Sequence, residues 1–451
     1  MISGKELLYA TLKHENKSTA IPWVPFAGVH AGFLKGYNAK EVLLDKEKLV
    51  ASLLEVKKIY DPDGMPVIFD LQVEAEILGC ELLWAEQAPP SVATHPLAGN
   101  KNIPESLPKK TDGRIPLILD AMHTLKVKIG ESTALYGLIT GPFTLASHLR
   151  GTDIFLDSVD DPAYLHSLIA YTTEVAKVMA RYYMEAGMDV IAVVDPLVSQ
   201  ISPKMFKTFL LEPFAEIFRF IREKQRFSSF FVCGDATKNL HVMCESGPDC
   251  IAVDENIDMT AAKLITNEFN ITLSGNIPLT TCMLLGNQQD NMKYVVDLLD
   301  RVSHFNLIIS PGCDMPYSVP VENTIAVMQA VRETDVVRSI VENYTRAEMD
   351  IPVEIPDYGA LQKPLIEVFT LDPDTCAACS YIWLAAKRVK ESLGEQVDLQ
   401  LYRLTEIESI ARVKKMGVAK IPSIYINGEL KYSSIIPGQS EFMEEVQKYL
   451  K

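Results

Sequence analysis

Eight short apolar runs, most of them separated by longer amphipathic stretches, constrain this chain more than any other feature. They are IPWVPFA (21–27), PVIFD (66–70), ALYGLIT (134–140), VIAVVD (190–195), SSFFVC (228–233), CIAVD (250–254), ITLSG (271–275) and NLIISP (306–311). Each has the length and composition of a buried strand. Between most of them lie helix-like segments. The clearest, 161–187, opens with Asp-Pro, repeats apolar residues every three or four positions and closes on glycine. Strands alternating with helices build a parallel sheet, and eight of them predict an α/β fold closed as a (β/α)8 TIM barrel. The alternative is an open doubly wound sheet, but no GxGxxG follows the first run. The stretch 71–133 fits no simple unit and reads as an inserted excursion with short helices of its own.

A barrel builds its site at the C-terminal ends of its strands. Reading those ends gives Gly28 and His30, Asp70, Gly141-Pro142, Asp195, Cys233-Gly234-Asp235, Asp254, Gly275-Asn276 and Gly312-Cys313. Polar residues and glycines gather there rather than in the strand bodies. Cys233 and Cys313 follow the fifth and eighth runs, so both can face one mouth and bind a soft or borderline cation such as zinc. Asp195 and Asp254 each end an apolar run, where a carboxylate can bind substrate, act as a general base or cap the next helix. Cys80, Cys244, Cys250 and Cys282 read as small buried apolar residues.

From about residue 346 the texture changes to RAEMDIPVEIPDYGALQK, a linker over 346–363. The boundaries are therefore 1–345 for the barrel and 364–451 for a second unit. That unit runs strand, Cys376-Ala-Ala-Cys379, helix, strand, helix, two strands and helix. This is the layout of a small thioredoxin-like α/β domain with its CxxC just after the first strand. A helix N-terminus favours a thiolate at Cys376, and Cys379 one turn later can resolve a mixed disulfide. Ile421-Pro422 fits the cis proline that faces such a dithiol and receives a substrate strand. The unit resembles thioredoxin- and glutaredoxin-like domains. The other readings of these cysteines are half of a zinc site or an inert remnant.

Charge narrows the partners. Asp plus Glu number 59 against 43 Lys plus Arg, a formal charge of −16. Such a chain repels phosphate backbones and anionic lipid, so neither nucleic acid nor membrane is expected as a partner. The opening MISGKELLYATLKHENK has no signal-peptide core, which predicts a cytoplasmic location.

Four phrases make the first 345 residues familiar: Phe69-Asp70-Leu71-Gln72-Val73-Glu74-Ala75-Glu76, Gly141-Pro142-Phe143-Thr144-Leu145-Ala146, Gly275-Asn276-Ile277-Pro278 and Ser310-Pro311-Gly312-Cys313. They resemble the uroporphyrinogen decarboxylase superfamily and, within it, the methylcobamide:coenzyme M (thiol) methyltransferases. The resemblance implies transfer of a methyl group from a methylcobamide, the corrinoid cofactor of a separate corrinoid protein, to a small thiol substrate activated by zinc. The family holds zinc with a His-x-Cys motif and a distant cysteine. Cys233 and Cys313 match the two cysteines, but the histidine position is Phe231. Three readings follow. A substitute ligand completes the site, with His30, Glu76, His148, Asp195 and Asp235 as candidates and His148 placed in the metal set. Alternatively the cysteines bind metal weakly and exchange with the C-terminal dithiol, or they are merely packed.

The expected site is therefore Cys233, Cys313 and His148 for metal, Asp195, Glu76, Cys376 and Cys379 for catalysis, and His30, Asn276 and Pro422 for substrate. Glu74 and Glu76 alternate along one segment, so one of them is expected to face the mouth. Two other functions are a non-enzymatic corrinoid or metal carrier and a tetrapyrrole decarboxylase. The latter needs an arginine-rich phrase after the first strand, where this chain reads Phe26-Ala27-Gly28-Val29-His30-Ala31-Gly32-Phe33.

Overall fold

The computed structural model describes residues 2–346, 351–371, 373, 377–433 and 435–450. It divides into two compact units, one of Met1–Val198 with Ser202–Tyr344 and one of Thr345–Lys451 with the short segment Ser199–Ile201.

The first unit is built on seven parallel strands in sequential order: β1 (Gly64–Pro66), β2 (Ala134–Thr140), β3 (Val190–Val194), β4 (Phe227–Val232), β5 (Cys250–Val253), β6 (Thr272–Ile277) and β7 (Leu307–Pro311). The fold is TIM-barrel-like. The expected first strand, 21–27, is not one. Pro22 and Pro25 lack the N–H that a ladder needs, which leaves a single bridge from Trp23 to Ile309. That bridge still joins the two edges of the sheet. Val24 N–H donates to the Ile309 carbonyl at 3.0 Å, and Asp63 N–H, beside β1, donates to the Trp23 carbonyl at 3.0 Å. β1 also begins and ends earlier than 66–70, leaving Asp70 beyond it.

Period-two alternation explains why these strands read as unbroken apolar runs. Tyr136, Leu138, Ala192, Val194, Phe231, Cys233, Ala252 and Ile308 share one interior cluster with Phe26 and Phe69. The alternate residues face the helices; Phe230, for example, stacks on Phe214 at 4.2 Å between ring centroids. Each buried aromatic contributes about 1.5–3 kcal/mol of transfer free energy, and both faces of the sheet are used this way. The long helix forms at Pro162–Glu185, with Asp161 accepting from Tyr164 N–H as its cap. Residues 71–133 contain the helix Val73–Ile77, a two-stranded ribbon of Leu82–Leu83 with Ser91–Val92, and the helix Ile115–Ile129. Among the described residues no helix is long and apolar enough to cross a membrane.

Among its described residues the second unit has four strands, β8 (Leu365–Thr370), β9 (Asp398–Arg403), β10 (Ser423–Ile426) and β11 (Glu429–Ser433), in the spatial order β9-β8-β10-β11. β8 pairs parallel to β9 and antiparallel to β10, so the crossover helix Ala377–Leu393 connects the parallel pair. Ile366, Val368, Ile382, Ala386, Ile424 and Phe442 form its core. The Ile421–Pro422 peptide is cis.

Candidate active site

β4 ends at Val232 and β7 at Pro311, so Cys233 and Cys313 leave the sheet at the same rim. They are joined by a disulfide, with α-carbons 5.9 Å apart. Parity puts Phe231, on β4, and Cys233, the residue just past its end, on the interior face together. Phe231 packs against Phe26 and Phe69 at 4.7 and 5.8 Å between centroids. An aromatic floor therefore lies under the disulfide. Cys233 is 8% exposed and Cys313 is half-buried.

The loop after β5 borders both cysteine segments. Asp254 Oδ2 accepts from Gly234 N–H at 2.8 Å, and its Oδ1 accepts from Asn256 N–H at 2.9 Å. On the other side, a Cβ on Gly312 would lie 2.6 Å from Glu255 N, so only glycine allows the two backbones this close. Glu255 Oε2 accepts from Leu279 N–H at 2.5 Å. Burial, and then the neighbouring Asp254 charge, push the Glu255 carboxyl up to about 8. Burial likewise raises Asp254. Glu255 was not among the expected residues; its only sequence signal is that it directly follows the strand-end Asp254. Asn276, expected to bind substrate, holds this loop. Its Nδ2 donates to the carbonyls of Asp254 and Ile257 at 2.9 and 2.8 Å, and its Oδ1 accepts from Tyr294 Oη.

Acidic groups crowd another part of the rim. Arg114 Nη1 donates to Asp70 at 2.6 Å and its Nε donates to Glu76 at 2.7 Å, so Glu76 is tied up in an ion pair. Glu74 is the buried member of its pair. It accepts from Thr140 N–H and Oγ1, and burial raises it to about 7. Asp314, next to Cys313, is raised well above the carboxylate range by burial. Its carboxyl occupies the space a side chain at Gly28 would need.

Four other expected residues lie at or near the strand ends, in the surroundings that follow. Asp195 accepts from Phe143 N–H at 2.9 Å, and from Thr144 N–H and Oγ1 at 3.1 and 2.6 Å. It thereby caps the helix Pro142–Arg150 from the end of β3, the arrangement of the capping alternative. Burial raises it to about 7. His30 Nδ1 donates to the Tyr317 carbonyl at 2.9 Å, which leaves Nε2 to accept from Tyr60 Oη at 2.7 Å. Burial lowers it to about 4, and neither ring nitrogen remains for substrate or metal. His148 is buried on the helix Pro142–Arg150, and burial lowers it to about 3. Asp235 accepts from Thr237 N–H and Oγ1.

A catalytic zinc takes three protein ligands and leaves one position open. Among the described residues no group of three His, Cys, Asp or Glu side chains is placed to hold a metal ion, and His148 does not join the cysteines in one. Phenylalanine fills the histidine position, and the two sulfurs that would ligate are bonded to each other. The residues present do not fit the zinc site that the resemblance implies. In the second unit Cys379 is buried in the first turn of Ala377–Leu393. Cys376 lies outside the described residues.

The parallel sheet and its strand-end cysteines and acids define the class. The family described as Uroporphyrinogen decarboxylase (URO-D) matches residues 3–334, and the chain belongs to it. Within that family it is similar to the Methylcobamide:CoM methyltransferase MtbA of Methanosarcina acetivorans, 26% identical over 329 residues that cover 71% of this chain and 94% of that protein. It is also similar to the uroporphyrinogen decarboxylase of Nostoc punctiforme, 23% identical over 62% of this chain and 80% of that one. Among solved structures, a methyltransferase from Methanosarcina mazei superposes with a TM-score of 0.67 at 24% identity, covering 74% of this chain and all of that one.

Proposed function

We propose that the first unit transfers a methyl group from a methylated corrinoid, carried by a separate protein, to a small thiol. The observation that carries this reading is the similarity to a methylcobamide:CoM methyltransferase over 94% of that protein's length. When bound, the corrinoid would supply an electrophilic methyl carbon, and the work left to this chain is to hold the thiol and remove its proton. Glu255 suits that task. Its carboxyl, pushed up to about 8, is close to the ordinary thiol value near 8.5, so the proton moves between groups of matched affinity. The floor of Phe26, Phe69 and Phe231 keeps the bottom of the mouth apolar, where a thiolate is poorly hydrated and reactive.

The second unit is proposed as a thioredoxin-like dithiol module acting through Cys376 and Cys379, with Pro422 at its substrate edge. Its strand order supports that reading.

The test is to incubate the full chain with methylcobalamin and CoM and measure the methyl thioether. Its formation, dependent on the chain, is the expected result. Corrinoid binding without thioether would replace this reading with a carrier. Tetrapyrrole decarboxylation gains no support from the site. Phe26–Phe33 contains no arginine, and Arg114 is paired with Asp70 and Glu76.

A further inference from the structure

We infer that Cys233 and Cys313 form a thiol–disulfide exchange site at the mouth of the first unit, whose reactants are dithiols. The inference goes beyond methyl transfer and does not rest on it. Two strand-end residues 80 positions apart are bonded across the rim, at an α-carbon separation of 5.9 Å that suits a disulfide without backbone movement. The pair is also asymmetric. Cys233 is held at 8% exposure over the aromatic floor, whereas Cys313 is half-buried and the more exposed of the two. Nothing else competes for the sulfurs, because Phe231 stands where a third metal ligand would be and no three-donor group forms among the described residues.

Other cysteines of the first unit behave differently. Cys80, Cys244 and Cys250 are buried, and burial pushes each thiol up to about 12. At neutral pH they are almost entirely protonated and do not exchange. These three therefore do not compete with the pair at the mouth for oxidation.

The exchange balances as follows. One thiolate of a dithiol attacks Cys313 Sγ; the Cys233–Cys313 bond breaks, and the electron pair leaves on Cys233 Sγ, which then takes a proton. The second thiolate of the dithiol attacks its own partner sulfur in the mixed disulfide and releases Cys313 as a thiolate. The Cys313 thiolate then takes a proton in its turn, so two electrons pass from the dithiol, which becomes a disulfide, to the two cysteines, and the two protons its thiols release on ionising reach them by way of solvent. The Cys376-x-x-Cys379 sequence belongs to the same chemical class of reductant.

The experiment is differential alkylation of the full chain purified without reductant. The chain is denatured in iodoacetamide, then reduced and labelled with N-ethylmaleimide, and the peptides are mapped by mass spectrometry alongside a zinc determination. Cys233 and Cys313 should carry the second label while Cys80, Cys244 and Cys250 carry the first. Treating the native chain with dithiothreitol beforehand should raise first-label occupancy at the pair by about tenfold or more, and oxidised dithiothreitol should reverse it. Cys233→Ser should move Cys313 to the first label without reductant. If that variant fails to fold, the wild-type labels still decide. First-label cysteines at the pair together with about one bound zinc per chain would overturn the proposal. So would a disulfide that dithiothreitol reduces only after denaturation, since that is a structural staple.

Discussion

Thr144 donates both its amide and its hydroxyl to Asp195 Oδ1, at 3.1 and 2.6 Å, and so ties the start of one helix to the end of the neighbouring strand. Asp195→Ala leaves these donors, and Phe143 N–H, without a buried acceptor, and should cost about 2–3 kcal/mol in urea unfolding. The folded carboxyl is raised to about 7 from 3.8, so the folded state binds the proton more tightly. Its contribution is therefore largest below the unfolded value and declines as pH rises towards 7. The gap between wild type and Asp195→Ala should be wider at pH 5 than at pH 8. An equal gap would mean that the carboxyl is ionised throughout.

Glu255→Gln removes the proposed proton acceptor while keeping the acceptor oxygen for Leu279 N–H. Methyl-transfer kcat should fall about 10²–10⁴-fold with little change in thiol KM. A carboxylate base works only when ionised. Wild-type kcat/KM should thus climb with pH until about 8 and drop roughly tenfold per unit below it. An unaltered rate in Glu255→Gln would assign the proton to another group.

Gly312→Ala should be disproportionately harmful for a single methyl group. The added carbon would lie 2.6 Å from Glu255 N, which is backbone and cannot rotate away. Overpacking of this kind costs about 1–3 kcal/mol, read as a lowered urea midpoint with unchanged slope. The shift should also move Glu255, so the pH profile of activity is the second readout.

In the second unit Arg412 Nη2 donates to Glu367 Oε1 at 2.5 Å, and Tyr358 Oη donates to Oε2 at 2.7 Å. The Glu367 side chain is fully buried in the central strand β8. Arg412→Ala strands that carboxylate and should cost the unit about 3–5 kcal/mol. Hydrogen exchange across 364–451 should accelerate while the first unit stays protected. The pair replaced jointly, Glu367→Leu with Arg412→Leu, should recover much of the loss.

The six strands from β2 to β7 were legible because a strand buried on both faces is mostly apolar, with small residues such as Ser228, Ser229 and Gly137 fitting inside it, although β6 runs on through Gly275 and Asn276, where the apolar pattern had ended it. The segment around Trp23 was not. Its apolar character matches a strand, but Pro22 and Pro25 withhold the hydrogen bonds that would extend one. The rim was legible as a place, not as a set of roles. The same position after an apolar run holds Asp195, which caps a helix, Asn276, which ties a loop, and Cys233, which meets Cys313. His30 gave no sign that Tyr60 and Tyr317 would occupy both its ring nitrogens, because those partners come from distant segments. Glu255 was overlooked because its environment is made by Leu279 and Gly312, which no local pattern connects to it.

The bridge from Trp23 to Ile309 has a consequence for the order in which the molecule can be made. The segment around Trp23 meets β1 early, through Asp63, but meets β7 only after some 286 further residues have been joined, so its bridge to Ile309 is among the longest-range contacts of the unit. Until Ile309 emerges during synthesis, β1 and each successive last strand present unpaired edges, the surfaces on which neighbouring chains aggregate. The prolines flanking Trp23 then acquire a second value: a segment unable to form a full ladder is a poor template for a foreign strand while it waits for its own.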